Sequence, residues 1–287
     1  MIIIFGASGF IGSHLFSYYQ NKGIPVIGTY SKNPKRGLVP YDLADTQSNA
    51  SRFINNDCRF AIIAAGIGSI DYHKIHFEEC PRINYGTKRL IDILYTRRII
   101  PVFLSTDYVF EGINGNYKED DPAHPTTQYG KNKLEIENYI KEKGKDYIII
   151  RPGKVYGYLP GDGTIITDIA EKLLLGKEIR CADDQIISPT SIYDVIQKIE
   201  MLIKSGATGV FHLSSPDSLS RYELANLVIT NMPNCGGKVR RCSINDFSFP
   251  EKRPLNTTLN SEKLSKMFDV TYKPLSEDIV KIVRNYQ

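Results

Sequence analysis

Met1-Ile2-Ile3-Ile4-Phe5-Gly6-Ala7-Ser8-Gly9-Phe10-Ile11-Gly12 decides the fold. An apolar, β-forming run leads straight into three glycines spaced G-x-x-G-x-x-G. A helical stripe then begins at Phe10 and Ile11 and continues through Leu15, Tyr18 and Tyr19. Strand, glycine turn and helix together suit the pyrophosphate of a dinucleotide. Gly6 permits the tight turn, Gly9 lets backbone approach the phosphates, and Gly12 lets the helix pack close to the sheet. The helix N-terminus adds free N–H groups and a partial positive charge. Gly6, Ser8, Gly9, Phe10, Ile11 and Gly12 are therefore expected to line a cofactor. The spacing departs from G-x-G-x-x-G, so the strand-to-helix context carries the reading more than the glycines do. No basic segment precedes the apolar run, which reads as a first strand and not as a signal peptide.

Working outward, the alternation continues. Gly23 stops the helix, and Pro25–Tyr30 reads as a second strand. Phe60–Ala65 and Pro101–Ser105 are two more, with a helix over about Asn84–Arg97 between them. Ile148–Arg151 follows the helix Gln128–Lys143. This repetition predicts an α/β fold: a Rossmann-type doubly wound parallel sheet covered on both faces. Beyond Arg151 the pattern loosens. Helices are expected at Ile165–Leu175, Ile192–Lys204, Tyr222–Thr230 and Glu277–Tyr286, and a strand at Val210–Leu213. The expected organisation is a dinucleotide-binding domain over 1–155, rejoined by chain at about 185–213. A smaller, interleaved C-terminal substrate lobe takes about 156–184 and 214–287.

The segment after the second strand bears on cofactor choice. NAD-binding chains usually place a carboxylate there for the ribose hydroxyls. This chain has no Asp or Glu before Asp42 and offers Tyr30-Ser31-Lys32, then Lys35 and Arg36. A hydroxyl and cations suit the extra phosphate of NADP, so Ser31, Lys32 and Arg36 are candidate contacts. The same residues also fit a solvated basic loop. Asp42-Leu43 fits the adenine edge, or a helix cap.

Tyr129-Gly130-Lys131-Asn132-Lys133 places Tyr129 and Lys133 one turn apart on a helix face. A free phenol titrates near pH ~10, and a neighbouring ammonium favours phenolate. Tyr129 is thereby a candidate proton donor to a carbonyl undergoing reduction. Ser105-Thr106-Asp107 ends an expected central strand, at the carboxyl edge where doubly wound sheets bind ligands. A hydroxyl there can polarise a substrate carbonyl.

With these signals in place, the chain resembles the extended short-chain dehydrogenases/reductases and, among them, the dTDP-4-dehydrorhamnose reductase family. The matching stretches run nearly end to end: Gly6–Gly12, Ala64-Ala65-Gly66, Asn84–Thr87, Ser105–Gly112, Tyr117–Pro125, Tyr129–Lys133, Arg151-Pro152, Val155–Gly157, Ser188–Thr190 and Arg253–Leu259. The resemblance implies a triad of Thr106, Tyr129 and Lys133, with NADPH, or NADH, as hydride donor. It implies that Ala64, Ala65 and Gly66 line the cofactor and that Asp107 belongs to the substrate side. It implies Arg253 as a grip on the diphosphate of a nucleotide-diphosphate sugar whose 4-keto, 6-deoxy ring is reduced. Lys154 stands where the rhamnose-pathway enzymes carry an aromatic residue, so a cation would face the sugar or solvent. Two other functions fit much of the motif set: an NAD-dependent sugar-nucleotide epimerase, and a non-catalytic regulatory subunit of the methionine adenosyltransferase type.

The composition agrees with a soluble enzyme. In 287 residues, 36 Lys+Arg against 32 Asp+Glu leave a net +4, suited to an anionic small molecule and too weak to argue for nucleic acid or a membrane. No apolar run is long enough to span a bilayer, and a cytoplasmic location and a homodimer are the default expectations. The five cysteines contain no C-x-x-C pair, which speaks against a disulfide framework or a zinc site. The five histidines show no metal spacing. His73 and His76 are read as solvated-loop residues, and Cys80 as a small buried side chain.

Overall fold

The computed structural model describes residues 1–54 and 57–286. Its chain divides into two compact units. The first takes Met1–Val109, Pro125–Arg151 and Ile196–Phe211, and the second takes Phe110–His124, Pro152–Val195 and His212–Gln287. The interleaving is finer than the sequence suggests, because Phe110–His124 and the chain up to Val195 group with the second unit.

The first unit is built on parallel strands β1 (Ile2–Phe5), β2 (Val26–Tyr30), β3 (Leu38–Pro40), β4 (Phe60–Ile63), β5 (Ile100–Leu104) and β6 (Ile148–Pro152). Their spatial order is β6-β5-β4-β1-β2-β3, with the strand Gly209–Leu213 on the far side of β6. The order reverses between β1 and β4, with Ile4 opposite Ile62 and Phe5 opposite Ile63. Both strands are buried along their whole length, which is why they read as unbroken apolar runs. Helices α1 (Phe10–Asn21), α2 (Ile70–Ile75), α3 (Cys80–Thr96) and α4 (Gln128–Lys143) complete the crossovers. Leu90 and Leu94 of α3 and Ile136 and Ile140 of α4 join Ile3, Phe5, Ala61, Ile63 and Phe103 in one core. Full burial of each such aliphatic side chain contributes roughly 1.5–3 kcal/mol.

The return to the sheet expected over about 185–213 is made at its end. Ile186–Ile187 pairs antiparallel with Leu219–Ser220 in a separate two-stranded sheet, and only Gly209–Leu213 rejoins the main one. Lys154–Tyr156 pairs with Pro189–Ser191, and Glu178–Ala182 with Lys238–Cys242, both parallel. Helices Ile165–Leu174, Arg221–Thr230 and Leu275–Arg284 enclose this unit's core through Ile166, Leu173, Leu224, Val228, Ile279 and Ile282. Inside it Asp278, fully buried, accepts the hydroxyls of Tyr156, at 2.9 Å, and of Tyr158. Two stretches that resemble the reductase family, Phe110–Gly112 with Tyr117 and Pro254–Leu259, are tied by backbone bonds: Leu255 and Asn256 N–H to Gly112 O, and Tyr117 N–H to Thr258 O. These residues hold the second unit together.

Candidate active site

The carboxyl ends of β1, β4 and β5 converge where the strand order reverses. Gly6 leaves β1 at φ +85°, a left-handed conformation that only glycine adopts readily. A methyl group at Gly12 would come within 2.2 Å of the Gly6 carbonyl oxygen, so α1 lies directly on the turn. Gly9 caps α1 with no side-chain hydrogen bond, which leaves the first-turn N–H groups available to an anion. The Gly6 amide itself donates to Thr29 Oγ1 at 3.1 Å, a brace from β2 that nothing in the sequence pattern marked. Ser8, Phe10 and Ile11 are half-buried around this turn.

The β4 loop meets the same turn. Ala64 N–H donates to Phe5 O at 2.9 Å, and the Ala65 backbone lies 2.6 Å from where a Gly6 side chain would begin. Gly66 follows at φ +141°, and a methyl group there would stand 3.9 Å from Lys133 Nζ. Ala64, Ala65 and Gly66 thus connect the phosphate turn to the end of the Lys133 side chain. The donor set fits a dinucleotide: free amides at one end, a small-residue wall along the middle, and an amine beside the far end.

Three expected cofactor contacts after β2 are exposed, namely Ser31, Lys32 and Arg36. Asp42 is half-buried, and its Oδ1 accepts from Ala44 N–H at 2.9 Å, a local turn bond. Leu43 is buried and borders a cavity of about 490 Å³ lined also by Asp45, Arg82, Tyr85 and Arg89. None of the other expected site residues lines that cavity.

Thr106, Tyr129 and Lys133 do come together. Thr127 caps α4 by accepting from Gly130 N–H at 3.1 Å. A methyl group at residue 130 would fall 2.1 Å from Tyr108 O, so glycine alone lets α4 approach the turn that carries Thr106 and Asp107. The Thr106 hydroxyl bonds the Tyr129 phenol, and Thr106 Oγ1 also donates to Asp107 Oδ1 at 3.1 Å. Lys133 Nζ donates to Leu104 O at 2.8 Å and lies 4.9 Å from the centre of the Phe103 ring.

The electrostatics amend the sequence reading. The phenol of Tyr129 is not acidified: burial pushes it up to about 12, the Thr106 hydrogen bond lowers it and the Asp107 charge raises it again. Burial pulls Lys133 down to about 8, and the charge of Glu137 resists that fall. Glu137 is wholly buried, accepts from Ser105 Oγ, and forms a paired salt bridge with buried Arg151, at 2.9 Å from Nε and 2.6 Å from Nη2. Glu137 stands one turn beyond Lys133, so its position was legible from the Tyr129–Lys133 spacing. Its depth was not.

His73 is also corrected. It is buried on α2, not solvated, and its ring stands edge-on to Tyr129 with centroids 5.1 Å apart. His76, by contrast, is exposed. Cys80 is buried as expected, and all five cysteines are free. Among the described residues no cluster of His, Cys, Asp or Glu could hold a metal ion. Lys154 and Arg253 lie in the second unit. Lys154 is exposed on a short strand, and Arg253 packs its guanidinium 4.6 Å from the centre of the Phe249 ring. No helix among the described residues is long and apolar enough to cross a membrane.

Comparison with known proteins agrees with this geometry. The family model described as RmlD substrate binding domain matches residues 1–287. A dTDP-4-keto-6-deoxy-D-glucose reductase of Streptomyces niveus is 30% identical over 265 residues, covering 91% of this chain and 88% of that protein. Methionine adenosyltransferase 2 subunit beta of Bos taurus is 24% identical over 276 residues, covering 93% of this chain and 82% of that protein. The solved dTDP-4-dehydrorhamnose reductase of Bacillus anthracis, in complex with NADP, shares the fold with a TM-score of 0.84 at 23% identity, over 98% of this chain and 97% of that one. A glycine turn, a strand-end Thr106 and a Tyr129–Lys133 helix thus lie within a chain matched over its whole length, and this protein belongs to the RmlD substrate binding domain family of extended short-chain dehydrogenases/reductases.

Proposed function

We propose that this chain reduces the 4-keto group of a nucleotide-linked 6-deoxy sugar, with NADPH as hydride donor. One observation carries the reading most directly: Thr106, Tyr129 and Lys133 assemble at the carboxyl end of β5, with the phenol bonded to the Thr106 hydroxyl and the amine bonded to the end of the same strand. When bound, the dinucleotide supplies a hydride to the carbonyl carbon. The chain's own residues handle the oxygen. Thr106 Oγ1 and Tyr129 Oη present hydroxyl donors to it, and Tyr129 delivers the proton that converts the new alkoxide to an alcohol. A phenol held at about 12 stays protonated at neutral pH, as a donor must. Lys133 Nζ, beside Gly66, is placed to bond the cofactor's ribose and stabilise the phenolate left behind. The turn Gly6–Gly12 and the first turn of α1 would hold the pyrophosphate, Ala64–Gly66 would flank the dinucleotide, and Ser31, Lys32 and Arg36 would take the extra phosphate of NADPH. Arg253, whose guanidinium packs on the Phe249 ring, would grip the substrate diphosphate, a role for which its fork geometry is suited.

The test is a panel of keto-sugar nucleotides with the purified chain, monitored by loss of NADPH absorbance. Consumption of NADPH with a 4-keto-6-deoxy substrate is expected. Interconversion of C4 epimers without added NADPH would establish the epimerase reading instead. The likeness to the methionine adenosyltransferase subunit supports a third outcome, stable co-purification with a synthetase and no turnover on any keto sugar.

A further inference from the structure

His73 is buried, and its ring nitrogens meet Ile67, Asn132 and Cys80. Its Nε2 lies 2.9 Å from Ile67 O, in the loop that follows β4. Its Nδ1 lies 2.8 Å from Asn132 Nδ2, on α4, and 3.3 Å from Cys80 Sγ, at the start of α3. Asn132 Oδ1 accepts from Gln128 Nε2 at 2.9 Å, which turns the Asn132 amide nitrogen toward the ring. An amide N–H donating to Nδ1 requires that nitrogen to be unprotonated. The ring proton then sits on Nε2 and donates to Ile67 O. One neutral tautomer satisfies both bonds, and an imidazolium would oppose its Nδ1–H to the Asn132 amide.

These contacts join the parts that the reaction needs in register. Ile67 directly follows Ala64-Ala65-Gly66, and Gly66 faces Lys133 Nζ. Asn132 precedes Lys133 and stands one turn past Gln128 on the helix that carries Tyr129. The imidazole edge completes the packing around the Tyr129 ring.

We propose that His73 is a positioning residue that clasps the cofactor-side loop 64–68 to the catalytic helix α4, so that bound NADPH is held at a fixed distance from Tyr129. This rests on the reductase reading above, but its test is binding of NADPH itself, which needs no knowledge of the sugar. NADPH affinity is measured by fluorescence titration for the wild type, His73→Phe, His73→Gln and Asn132→Leu. His73→Phe keeps a ring against Tyr129 and removes both hydrogen bonds. It is expected to weaken NADPH about tenfold, the effect of leaving buried polar groups unpaired. His73→Gln can still donate to Ile67 O and should recover most of the affinity. Asn132→Leu should repeat the loss, and the double variant should be no worse than either single one, because both remove the same link. Wild-type affinity in His73→Phe overturns the proposal, as does a His73→Gln variant no better than His73→Phe, or full additivity in the double variant. If His73→Phe does not fold, the Gln and Leu variants decide by the same criteria. A wild-type chain that binds no NADPH refutes the reductase reading, and this role with it.

Discussion

Replacing Glu137 with Gln separates two effects that the buried ion pair combines. Glu137 has no exposed surface, and its two oxygens take the guanidinium of Arg151 and the hydroxyl of Ser105. The amide keeps the shape and removes the carboxylate that pairs with buried Arg151, which should cost about 3–5 kcal/mol in urea unfolding. The second effect is on Lys133. Burial already brings its ammonium down to about 8, and Glu137 is the charge that limits the drop. With that charge gone, the Lys133 pKa should fall further. The ammonium is the form that supports reduction, so the rate is full below the Lys133 pKa and declines as pH rises through it. The alkaline limb of kcat/KM for NADPH-dependent reduction should therefore lie near pH 8 in the wild type and move to lower pH in Glu137→Gln. The sign for stability follows from the same group. A lysine whose folded pKa lies below its unfolded value penalises folding below that folded pKa, and the penalty is relieved as pH rises toward 10.5. Glu137→Gln should consequently lose more stability at pH 7 than at pH 10. A double variant, Glu137→Gln with Arg151→Met, leaves no buried charge unpaired and should regain most of the stability while the limb stays acid-shifted. An unmoved limb in a folded Glu137→Gln enzyme would refute the assignment of that limb to Lys133.

Other expectations are simpler. Tyr129→Phe should fold and bind NADPH but lose ~10²-fold or more in kcat, the loss expected of a general acid, as read by steady-state kinetics. Gly130→Ala should be destabilised by about 1–3 kcal/mol, because its methyl group would meet the Tyr108 carbonyl at 2.1 Å, and its kcat should fall as Thr106 and Tyr129 separate. Lys32→Ala with Arg36→Ala should weaken NADPH more than NADH in parallel titrations. Both side chains are exposed, so each contact is screened, and the difference should shrink as salt is raised. Arg253→Ala should raise KM for the nucleotide sugar and change kcat little, the signature of lost uniform binding.

The main strands of the first unit, its helices α1, α3 and α4, and the family were legible in the sequence by itself, whereas α2 was not. Strand runs buried on both faces leave an uninterrupted apolar signal, so β1, β4, β5 and β6 were found within two residues, and α4 was legible end to end. Thr106, Tyr129 and Lys133 could be proposed from the sequence because the Tyr129–Lys133 spacing is local and Thr106 follows an expected strand. What depended on contacts between distant segments could not be read in this way. His73 was taken for a solvated residue, because its partners lie at Ile67, Cys80 and Asn132 and only folding brings α2, α3 and α4 around it. Tyr129 was expected to be acidified by Lys133, yet burial dominates and raises its pKa. Burial is a sum over neighbours from the whole unit, so spacing along one helix does not contain it. The depth of Glu137 and Arg151 is of the same kind: the sequence shows two charges fourteen residues apart, and only the packing of α4 on β6 makes them a buried pair beneath Lys133.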